Sequence, residues 1–350
     1  MLRHLSAARW MSLCSAVLLA ACGGSGGGAG APTGGGATPS TTLSISPSAL
    51  ALSVDHTVAS PALTGTPRVF TITNMGTVTA LAVIHARSTA SPAWPTGTNS
   101  SSNCTTLAPG ASCTITITPG NTASAAAGDP APVPITLSVG GSNTNLLTPT
   151  VQVLTHGSLY QGGYVFAIDD STAATGSIGG KVAAPSDAVP SVFWSAGAGG
   201  GVVHDDVAEV SDASVGPLPF CDGRTDGQCN TKAIVDRYPL TPLTAYAAGT
   251  CKASTLDGFA DWYLPAICEL NGSSGSVSCP ASQQSIQDNL VEVLPGAGSV
   301  PAASYWSSTQ SAALSTESWS GYLQHTAGAR QDREDKSSLR PARCVRALTY

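Results

Sequence analysis

The sequence predicts a β-sandwich over residues 41–155, followed by an α+β domain over residues 156–350 that disulfide bonds stabilise. Short runs in which apolar and polar residues alternate favour strands in the first half. A composition with 38 Gly, 24 Pro and only 10% charged residues favours short strands and loops over long helices. The second half contains six cysteines and differs from the first half in its residue pattern. At 350 residues, the chain is long enough for two domains of ordinary size.

Residues 1–21 carry the three parts of an export signal. Arg3, His4 and Arg9 form a basic start, an apolar run extends from Met11 to Ala21, and small residues precede Cys22. The apolar run is shorter than the roughly 20 residues that cross a bilayer. We therefore expect a cleaved signal rather than a membrane-spanning helix.

The residues Leu19-Ala20-Ala21-Cys22 resemble the lipobox of bacterial lipoproteins, whose cysteine is lipidated and becomes the first residue of the mature chain. This resemblance implies a membrane partner through lipid on Cys22. Gly23 follows the cysteine, which in Gram-negative lipoproteins favours the outer membrane, and a cell-surface location is expected. An ordinary signal peptide with a chance cysteine is the alternative. The remainder of residues 22–40 is Gly-rich and predicts a flexible tether.

The predicted export affects the expected oxidation state of the cysteines, and the charge that remains affects the expected partners. Outside the cytoplasm, cysteines meet an oxidising compartment in which disulfides form. The formal net charge is −6, and removing the signal removes two arginines and no acid, so nucleic acid is not expected as a partner. The basic residues are concentrated near the end of the chain, at Arg330, Arg333, Lys336, Arg340, Arg343 and Arg346.

The strands of the first half follow from alternation and turn residues. Alternation runs through residues 69–73, and turn residues occur at 74–76, 119–121 and 140–141. Several short alternating strands with such breaks predict an immunoglobulin-like (Ig-like) sandwich. Two sets of residues are expected to share faces, namely Cys113, Ile115 and Ile117, and Val133, Ile135, Leu137 and Val139.

Three stretches of this region, residues 46–50, 70–76 and 104–113, resemble the Hydin-related, choice-of-anchor type of Ig-like repeat. In that family, paired cysteines close a hairpin, which implies a Cys104–Cys113 disulfide. Pro109-Gly110 between the two cysteines suits such a turn. A spacer is the expected role of this region, and a binding surface of its own is the alternative.

His156-Gly157-Ser158 marks the predicted boundary, after which short helices flank a loop-rich antiparallel sheet. The first predicted helix carries Cys251, and the second begins at a proline. The expected helices cover residues 243–254, 265–270 and 283–294, and the expected strands cover residues 164–168, 304–308, 318–324 and 343–348.

The second half carries a set of short motifs in a fixed order. They are Gly162-Gly163-Tyr164-Val165-Phe166-Ala167-Ile168-Asp169, Asn230-Thr231-Lys232-Ala233-Ile234-Val235, Asp261-Trp262-Tyr263-Leu264-Pro265 with Glu269-Leu270, Tyr305-Trp306-Ser307-Ser308-Thr309, Trp319, and Arg343-Cys344-Val345-Arg346. Together they resemble the Lcl C-terminal domain family, a bacterial surface module. The resemblance implies a C-type-lectin-like fold for residues 156–350.

Six cysteines allow many pairings, and their positions alone do not choose among them. In C-type-lectin-like folds, a cysteine of the first helix joins one on the last strand, so the resemblance implies Cys251–Cys344. The remaining four then pair most simply with near neighbours, as Cys221–Cys229 and Cys268–Cys279. Metal ligation is the alternative, but the absence of a Cys-x-x-Cys pair disfavours zinc.

Catalysis and cofactors are not expected. His204-Asp205-Asp206 places imidazole and carboxylates together, but neighbours on an extended chain point to different sides, which favours a solvated loop. No Gly-x-Ser-x-Gly elbow between a strand and a helix frames a nucleophile. Formylglycine-generating oxidases share the fold and use reactive cysteines, whereas the even cysteine count here favours structural disulfides.

Calcium is weighed separately because many C-type lectins bind sugar through it. The acidic tripeptides with which those lectins bind calcium do not occur in this chain. Asp222 and Asp226, beside Gly223 and Gly227, have the oxygen ligands that calcium prefers. A hydrophilic turn closed by a disulfide is the favoured interpretation.

Trp262, Leu264 and Trp306 are expected in the core. Trp319 and Tyr322 are candidates for stacking on a sugar. The best known member of the resembled family is the end domain of a collagen-like adhesin that binds sulfated glycosaminoglycans, which implies ligand roles for Arg340, Arg343 and Arg346. This chain lacks the collagen repeat and places Asp332, Glu334 and Asp335 among the basic residues, so structural arginines in a solvated loop are the alternative.

These observations predict a surface-anchored, non-catalytic binding protein that recognises carbohydrate, including sulfated glycan, or another surface partner in adhesion or biofilm. The alternative is a structural or assembly component of the cell envelope that binds another protein. An enzyme on the same fold is the third hypothesis.

Overall fold

A computed structural model describes residues 39–56, 63–272, 275–294, 300–325 and 328–349. Pro39–Tyr350 form one compact unit. The predicted export signal, the lipidation site Cys22 and the tether as far as residue 38 lie outside the described residues. Within the described part, no helix is both long enough and apolar enough to cross a membrane.

The protein is mostly β-structure, with few helices and four disulfides. The strands are β1 (Leu43–Ser46), β2 (Ala49–Ser53), β3 (Asp55–His56), β4 (Leu63–Thr64), β5 (Arg68–Asn74), β6 (Ile84–Arg87), β7 (Asn99–Ser102), β8 (Ser112–Thr118), β9 (Ile135–Gly140), β10 (Thr150–Leu154), β11 (Leu159–Tyr160), β12 (Gly163–Asp169), β13 (Gly179–Ala183), β14 (Val189–Val192), β15 (Ala303–Gln310), β16 (Glu317–Leu323), β17 (Arg330–Asp335), β18 (Arg340–Ala342) and β19 (Val345–Ala347). The α-helices are α1 (Gly227–Arg237), α2 (Ala247–Lys252) and α3 (Ile267–Leu270).

Two four-stranded sheets contain most strands of the first half, and β3 pairs with β4. Sheet A has the order β1-β5-β8-β7, and sheet B has the order β2-β10-β9-β6. Apolar side chains from both sheets form one buried cluster, which includes Phe70 of β5, Ile115 of β8 and Leu137 of β9. Strand β5 alternates buried and less buried residues, as predicted. Val133 differs from the prediction because it precedes β9 between two prolines, which cannot donate to a ladder, and it is exposed.

The second half contains two larger sheets and a short pair. Sheet C has the order β11-β12-β13-β19, so the last strand of the chain joins β13. Sheet D is the antiparallel set β15-β16-β17, and β14 pairs with β18. The predicted strands at 164–168, 304–308 and 318–324 fall within β12, within β15 and largely within β16.

The predicted helices are partly wrong. A 3₁₀ turn at Leu243–Ala245 precedes α2, because Tyr246 between them is extended. Gln287–Val291 form one π-helical segment instead of a helix over residues 283–294. Helix α1 is missing from the prediction because its pattern is weak: it buries the polar Asn230 and Thr231, and Ile234 is its one fully buried aliphatic side chain.

Glu269 connects the elements around the Asp261–Pro265 motif. Its side chain is fully buried and accepts hydrogen bonds from the Ala266 amide at 2.8 Å, the Gly227 amide at 3.2 Å and the Tyr263 hydroxyl at 3.1 Å. It also forms an ion pair with Lys181 of β13. Burial and the nearby Glu269 raise the pKa of Tyr263 well above its usual value, so its hydroxyl stays a donor. One carboxylate thereby fixes the starts of α1 and α3 against sheet C.

The two halves also share contacts within this unit. The buried guanidinium of Arg68 on β5 donates to the main-chain oxygens of Thr172 and Thr175, the latter at 3.0 Å. Ala51 of β2 exchanges main-chain hydrogen bonds with Gly176 and Ile178, both at 2.9–3.0 Å. The main-chain bonds of Ala51 cover the β2 edge of sheet B with chain from the second half.

Four disulfides lie within the described residues. They join Cys104 to Cys113, Cys221 to Cys229, Cys251 to Cys344 and Cys268 to Cys279, which are the pairs named in the sequence analysis. Cys251–Cys344 spans 93 residues and connects α2 to the residue before β19.

Candidate functional site

Two of the three arginines expected to bind ligand are structural. Arg343 is 2% exposed and donates to Asp187 at 2.8 Å and to the Ala184 carbonyl at 2.8 Å. Arg346 is fully buried and pairs with Asp261. Their predicted ligand role is corrected here, because a buried guanidinium whose charge is already paired has no donors left for sulfate.

The third arginine and Tyr322 are partly exposed but already have partners. Arg340 donates to Glu334 at 2.8 Å. The Tyr322 ring, the predicted sugar platform, has the guanidinium of Arg330 at 4.5 Å from its centroid. Arg330 in turn pairs with Asp332 at 2.7 Å. The face of Tyr322 that Arg330 contacts is therefore not free to stack on a sugar.

The tryptophans divide into core residues and one pocket residue. Trp262 and Trp306 are 1% and 0% exposed, and Leu264 is fully buried, which confirms their predicted core positions. Trp306 Nε1 donates to the Val192 carbonyl at 2.9 Å. Trp319 is also buried, so it does not present its face as a platform. It lies three residues before Tyr322 on β16, and the two side chains are therefore on opposite faces of the strand.

Trp319 lines a pocket of about 410 Å³ beside sheet D, which we call the Trp319 pocket. Trp319 and Arg333 are directly opposite on β16 and β17, and Gln331 lies one position along on the same face. The other lining residues are Asp332 of β17 and four loop residues, Asp212, Ser276, Ser311 and Ala313.

Unsatisfied polar atoms distinguish this pocket. Trp319 Nε1 is buried and has no hydrogen-bond acceptor among the described residues. Arg333 is about half exposed, and its one ion pair within the described residues is a long contact of 3.8 Å to Glu317. A buried N–H without an acceptor costs about 1–3 kcal/mol, so an acceptor that reached Trp319 Nε1 would be favoured.

One wall of the Trp319 pocket is rigid. The Gln331 side chain donates to the Asn271 carbonyl at 2.6 Å and accepts from the Val277 amide at 2.8 Å. Trp319 packs in one apolar cluster with the Cys268–Cys279 disulfide. The disulfide loop and β17 are therefore held together, and the pocket is largely preformed in this region.

A larger groove of about 620 Å³ lies between α1 and the Asp261 motif. Its charges are mostly paired: Lys232 pairs with Asp236, and Asp261 pairs with Arg346. Lys252 also lines it and forms no ion pair within the described ranges. This groove offers less unsatisfied hydrogen-bonding capacity than the Trp319 pocket.

The loop considered for calcium has a structural role. Asp226 caps α1, since its Oδ1 accepts from the Cys229 amide at 2.9 Å. Asp222 Oδ1 is buried and lacks a hydrogen-bond donor in the part of the chain that the structure describes. Across that same part, no group of three or more His, Cys, Asp or Glu side chains is arranged to hold a metal ion.

The His204-Asp205-Asp206 segment has more contacts than a solvated loop. The exposed His204 lies 3.1 Å from Asp335, and Asp206 accepts from the Gln310 amide at 2.6 Å. Hydrogen bonds from Ser337, with a smaller one from His204, lower the pKa of Asp335 to about 2.

Sequence reasoning placed Trp319 in a ligand site but missed its neighbours. The same reasoning grouped Arg333 only with the other C-terminal basic residues. Asp212, Ser311 and Gln331 do not lie in any sequence motif that marks a site. Alternation along β17, which puts Gln331 and Arg333 on one face, is the signal that points to two of these residues.

No family model matches the chain, and no curated protein matches it. Solved structures with partial similarity include a protein of unknown function from Porphyromonas gingivalis (13% identity, TM-score 0.23, 35% of this chain and 50% of that one). The secreted serine protease VesC from Vibrio cholerae is 15% identical (TM-score 0.21, 30% of this chain and 21% of that one). A fimbrial protein from Bacteroides ovatus is 10% identical (TM-score 0.38, 88% of this chain and 71% of that one). The chain thus spans half or less of the first two, and similarities this low carry no functional argument.

Proposed function

We propose that this chain is a non-catalytic carbohydrate-binding protein of the bacterial envelope, with the Trp319 pocket as its ligand site. The observation that carries the proposal is the buried Trp319 N–H without an acceptor in a pocket that also holds Arg333, Asp212 and Ser311. A sugar hydroxyl both accepts and donates, so it can pair with the indole N–H and with a carboxylate or serine at once.

The proposed ligand is a neutral carbohydrate. Arg333 is the only basic side chain that lines the pocket within the described residues, and Asp212 and Asp332 lie beside it. Two carboxylates near one guanidinium disfavour a sulfate group. Sulfated glycans remain an outcome that the experiment below distinguishes.

The proposal includes the placement of this site at the cell surface. The lipobox resemblance supports export and lipid attachment at Cys22 to the outer membrane. Residues 41–155 would serve as an Ig-like spacer, and residues 156–350 as a C-type-lectin-like domain of the Lcl C-terminal type. The Cys251–Cys344 bond supports this assignment in part. It joins a helix to the residue before the last strand, as the resemblance implies, but that helix is α2, the second α-helix of residues 156–350, and not the first.

A glycan array probed with the full-length protein tests the proposal, in calcium and in chelator. We expect binding to neutral glycans that does not need calcium and that falls at least about tenfold in Arg333→Ala, the loss expected for a charged hydrogen bond. Arg237→Ala is the matched control, because Arg237 is similarly exposed and also has one ion pair, with Asp205. An array without binding, binding confined to sulfated glycans, or equal loss in both variants contradicts the assignment.

A second candidate function, assembly with another envelope protein, has its own observation. Strand β6 lies at the edge of sheet B beside a groove of about 460 Å³, where Ile84 and Leu146 are 69% and 65% exposed. Edge strands with apolar side chains are suited to pairing with another chain. Crosslinking to an envelope protein that Ile84→Asp abolishes and Leu314→Asp leaves unchanged would favour this function.

A further inference from the structure

Lys336, directly after β17, is a fully buried lysine. Its Nζ donates to the main-chain oxygen of Asp205 at 2.6 Å and to Gln310 Oε1 at 2.7 Å, and it lies 4.4 Å from the centroid of the Trp194 ring. Within the described residues it forms no ion pair with a carboxylate. Burial lowers the pKa of Lys336 to about 8, against the opposing effect of nearby Asp206, Asp205 and Asp335. The neutral, nucleophilic form of the Lys336 amine is therefore populated near neutral pH.

The side-chain amide of Gln310, at the end of β15, faces this amine in a fixed orientation. Gln310 is 2% exposed. Its Oε1 accepts from the Val207 amide at 2.8 Å as well as from Lys336, and its Nε2 donates to Asp206 Oδ1 at 2.6 Å. The main-chain N–H of Val207 can only donate, and the carboxylate of Asp206 can only accept. The side-chain amide of Gln310 therefore cannot be flipped to exchange its oxygen and nitrogen.

We propose that Lys336 and Gln310 form an intramolecular isopeptide bond, with Asp206 as the catalytic residue that carries the proton. The three groups that such a reaction needs are in contact: an amine without a paired charge, an amide carbonyl that a main-chain N–H polarises, and a carboxylate on the departing nitrogen. The site is separate from the Trp319 pocket and does not depend on the proposed function.

The step balances without any co-reactant. The lone pair of neutral Nζ forms a bond to Cδ of Gln310, and the carbonyl electron pair moves to Oε1, where the Val207 N–H stabilises the negative charge. The carbonyl then re-forms and the Cδ–Nε2 bond breaks. The proton lost by Nζ reaches Nε2 through the Asp206 carboxylate, and ammonia leaves. Nothing is oxidised or reduced, and Asp206 returns to its starting state.

The bond would join the first strand of sheet D to the residue after its last strand, 26 positions later in sequence. Sheet D carries Trp319 and Arg333, so the covalent closure would restrain the strands beneath the Trp319 pocket. A permanent amide, unlike a disulfide, would also persist in a reducing environment.

Peptide mass spectrometry of the full-length wild-type protein, denatured and reduced, tests the proposal directly. We expect the peptides that contain Gln310 and Lys336 to appear as one linked species, lighter than their sum by about 17 Da, the mass of one ammonia. Trypsin should leave the bond after Lys336 uncut, because the acylated amine is no longer a cation. Two separate peptides, with Lys336 available to an amine-reactive label after denaturation, would overturn the proposal.

Variants then assign the roles. Lys336→Arg keeps a cation but lacks a primary amine, so its peptides should remain separate. Asp206→Asn should slow the appearance of the linked species after cell-free synthesis by about a hundredfold or more, the contribution typical of proton transfer. Asp205→Asn is the matched control, because only the main-chain oxygen of Asp205 contacts Lys336. Loss of its carboxylate charge lowers the pKa of Lys336 further, so this variant should react at least as fast as the wild type. Equal rates in the two aspartate variants would overturn the role of Asp206.

Discussion

Arg346 and Asp261 form a two-point ion pair, with Nε 2.8 Å from Oδ1 and Nη2 3.0 Å from Oδ2. Arg346 is fully buried on β19, and its guanidinium lies 3.7 Å from the centroid of the Phe259 ring. Beside the pair, Tyr263 and Val345 exchange main-chain hydrogen bonds at 2.8 and 2.9 Å. The end of the chain is therefore fixed to the segment that leads into α3.

We expect Arg346→Lys to lower the free energy of unfolding by about 2–3 kcal/mol. Lysine cannot form both hydrogen bonds to Asp261 or stack as a plane on Phe259, so a buried charge is left poorly paired. Urea denaturation measures the change. Arg330→Lys is the control, because that side chain is largely exposed and its pair with Asp332 contributes little. Equal stability of both variants would contradict a structural role for Arg346.

Gly227 is expected to be intolerant of a methyl group. A Cβ there would lie 2.4 Å from Glu269 Oε2 and 2.6 Å from the Ala266 main-chain nitrogen. The carboxylate is held by its own hydrogen bonds and the backbone cannot withdraw, so Gly227→Ala should cost about 2–3 kcal/mol of unfolding free energy. Gly199→Ala, whose Cβ would have no atom within 4 Å, should be neutral in the same thermal melts. A neutral Gly227→Ala would show that the start of α1 can shift.

The long disulfide should contribute more stability than the short one. Cys251–Cys344 spans 93 residues and Cys221–Cys229 spans 8. In the chain-entropy account, closing these loops stabilises by about 4–5 and about 2–3 kcal/mol. Paired Cys→Ser variants of each bond, compared by chemical denaturation, should rank in that order. The reverse order would indicate that residual structure in the unfolded chain dominates.

The sequence predicted strands better than sites, for physical reasons. The alternation in β5 and β8 is a local pattern that burial of one sheet face requires, so it could be recognised residue by residue. Arg343 and Arg346 looked like surface ligands because their partners, Asp187 and Asp261, are 156 and 85 positions away. The Trp319 pocket is likewise formed in part by loops that are distant in sequence, and no local sequence pattern predicts that these loops come together.

His156 should make the protein less stable in mild acid. It is 7% exposed, its Nε2 lies 3.0 Å from Gln284 Oε1, and burial lowers its pKa below 6.5, although the Gln284 contact acts in the opposite direction. The unfolded chain therefore binds the proton more readily, and stability falls as pH drops below about 6.5. Burial lowers the pKa of His85 too, so it adds to this slope. Denaturation midpoints from pH 7.5 to 5 should show a shallower decline in His156→Gln than in the exposed control His325→Gln, and equal slopes would contradict the assignment.

Trp319→Phe separates a binding role from a packing role. The substitution removes an indole N–H that has no acceptor among the described residues, so the relief of that unsatisfied donor offsets lost packing and stability should change by less than about 1 kcal/mol. Trp306→Phe is the matched control, because it leaves the Val192 carbonyl without its donor and should cost about 2 kcal/mol or more. For a glycan found on the array, Trp319→Phe should weaken binding by about tenfold, since the ligand loses the donor that the pocket offers it. Unchanged affinity with reduced stability would mean that Trp319 serves the apolar cluster around Cys268–Cys279 and that the ligand binds elsewhere.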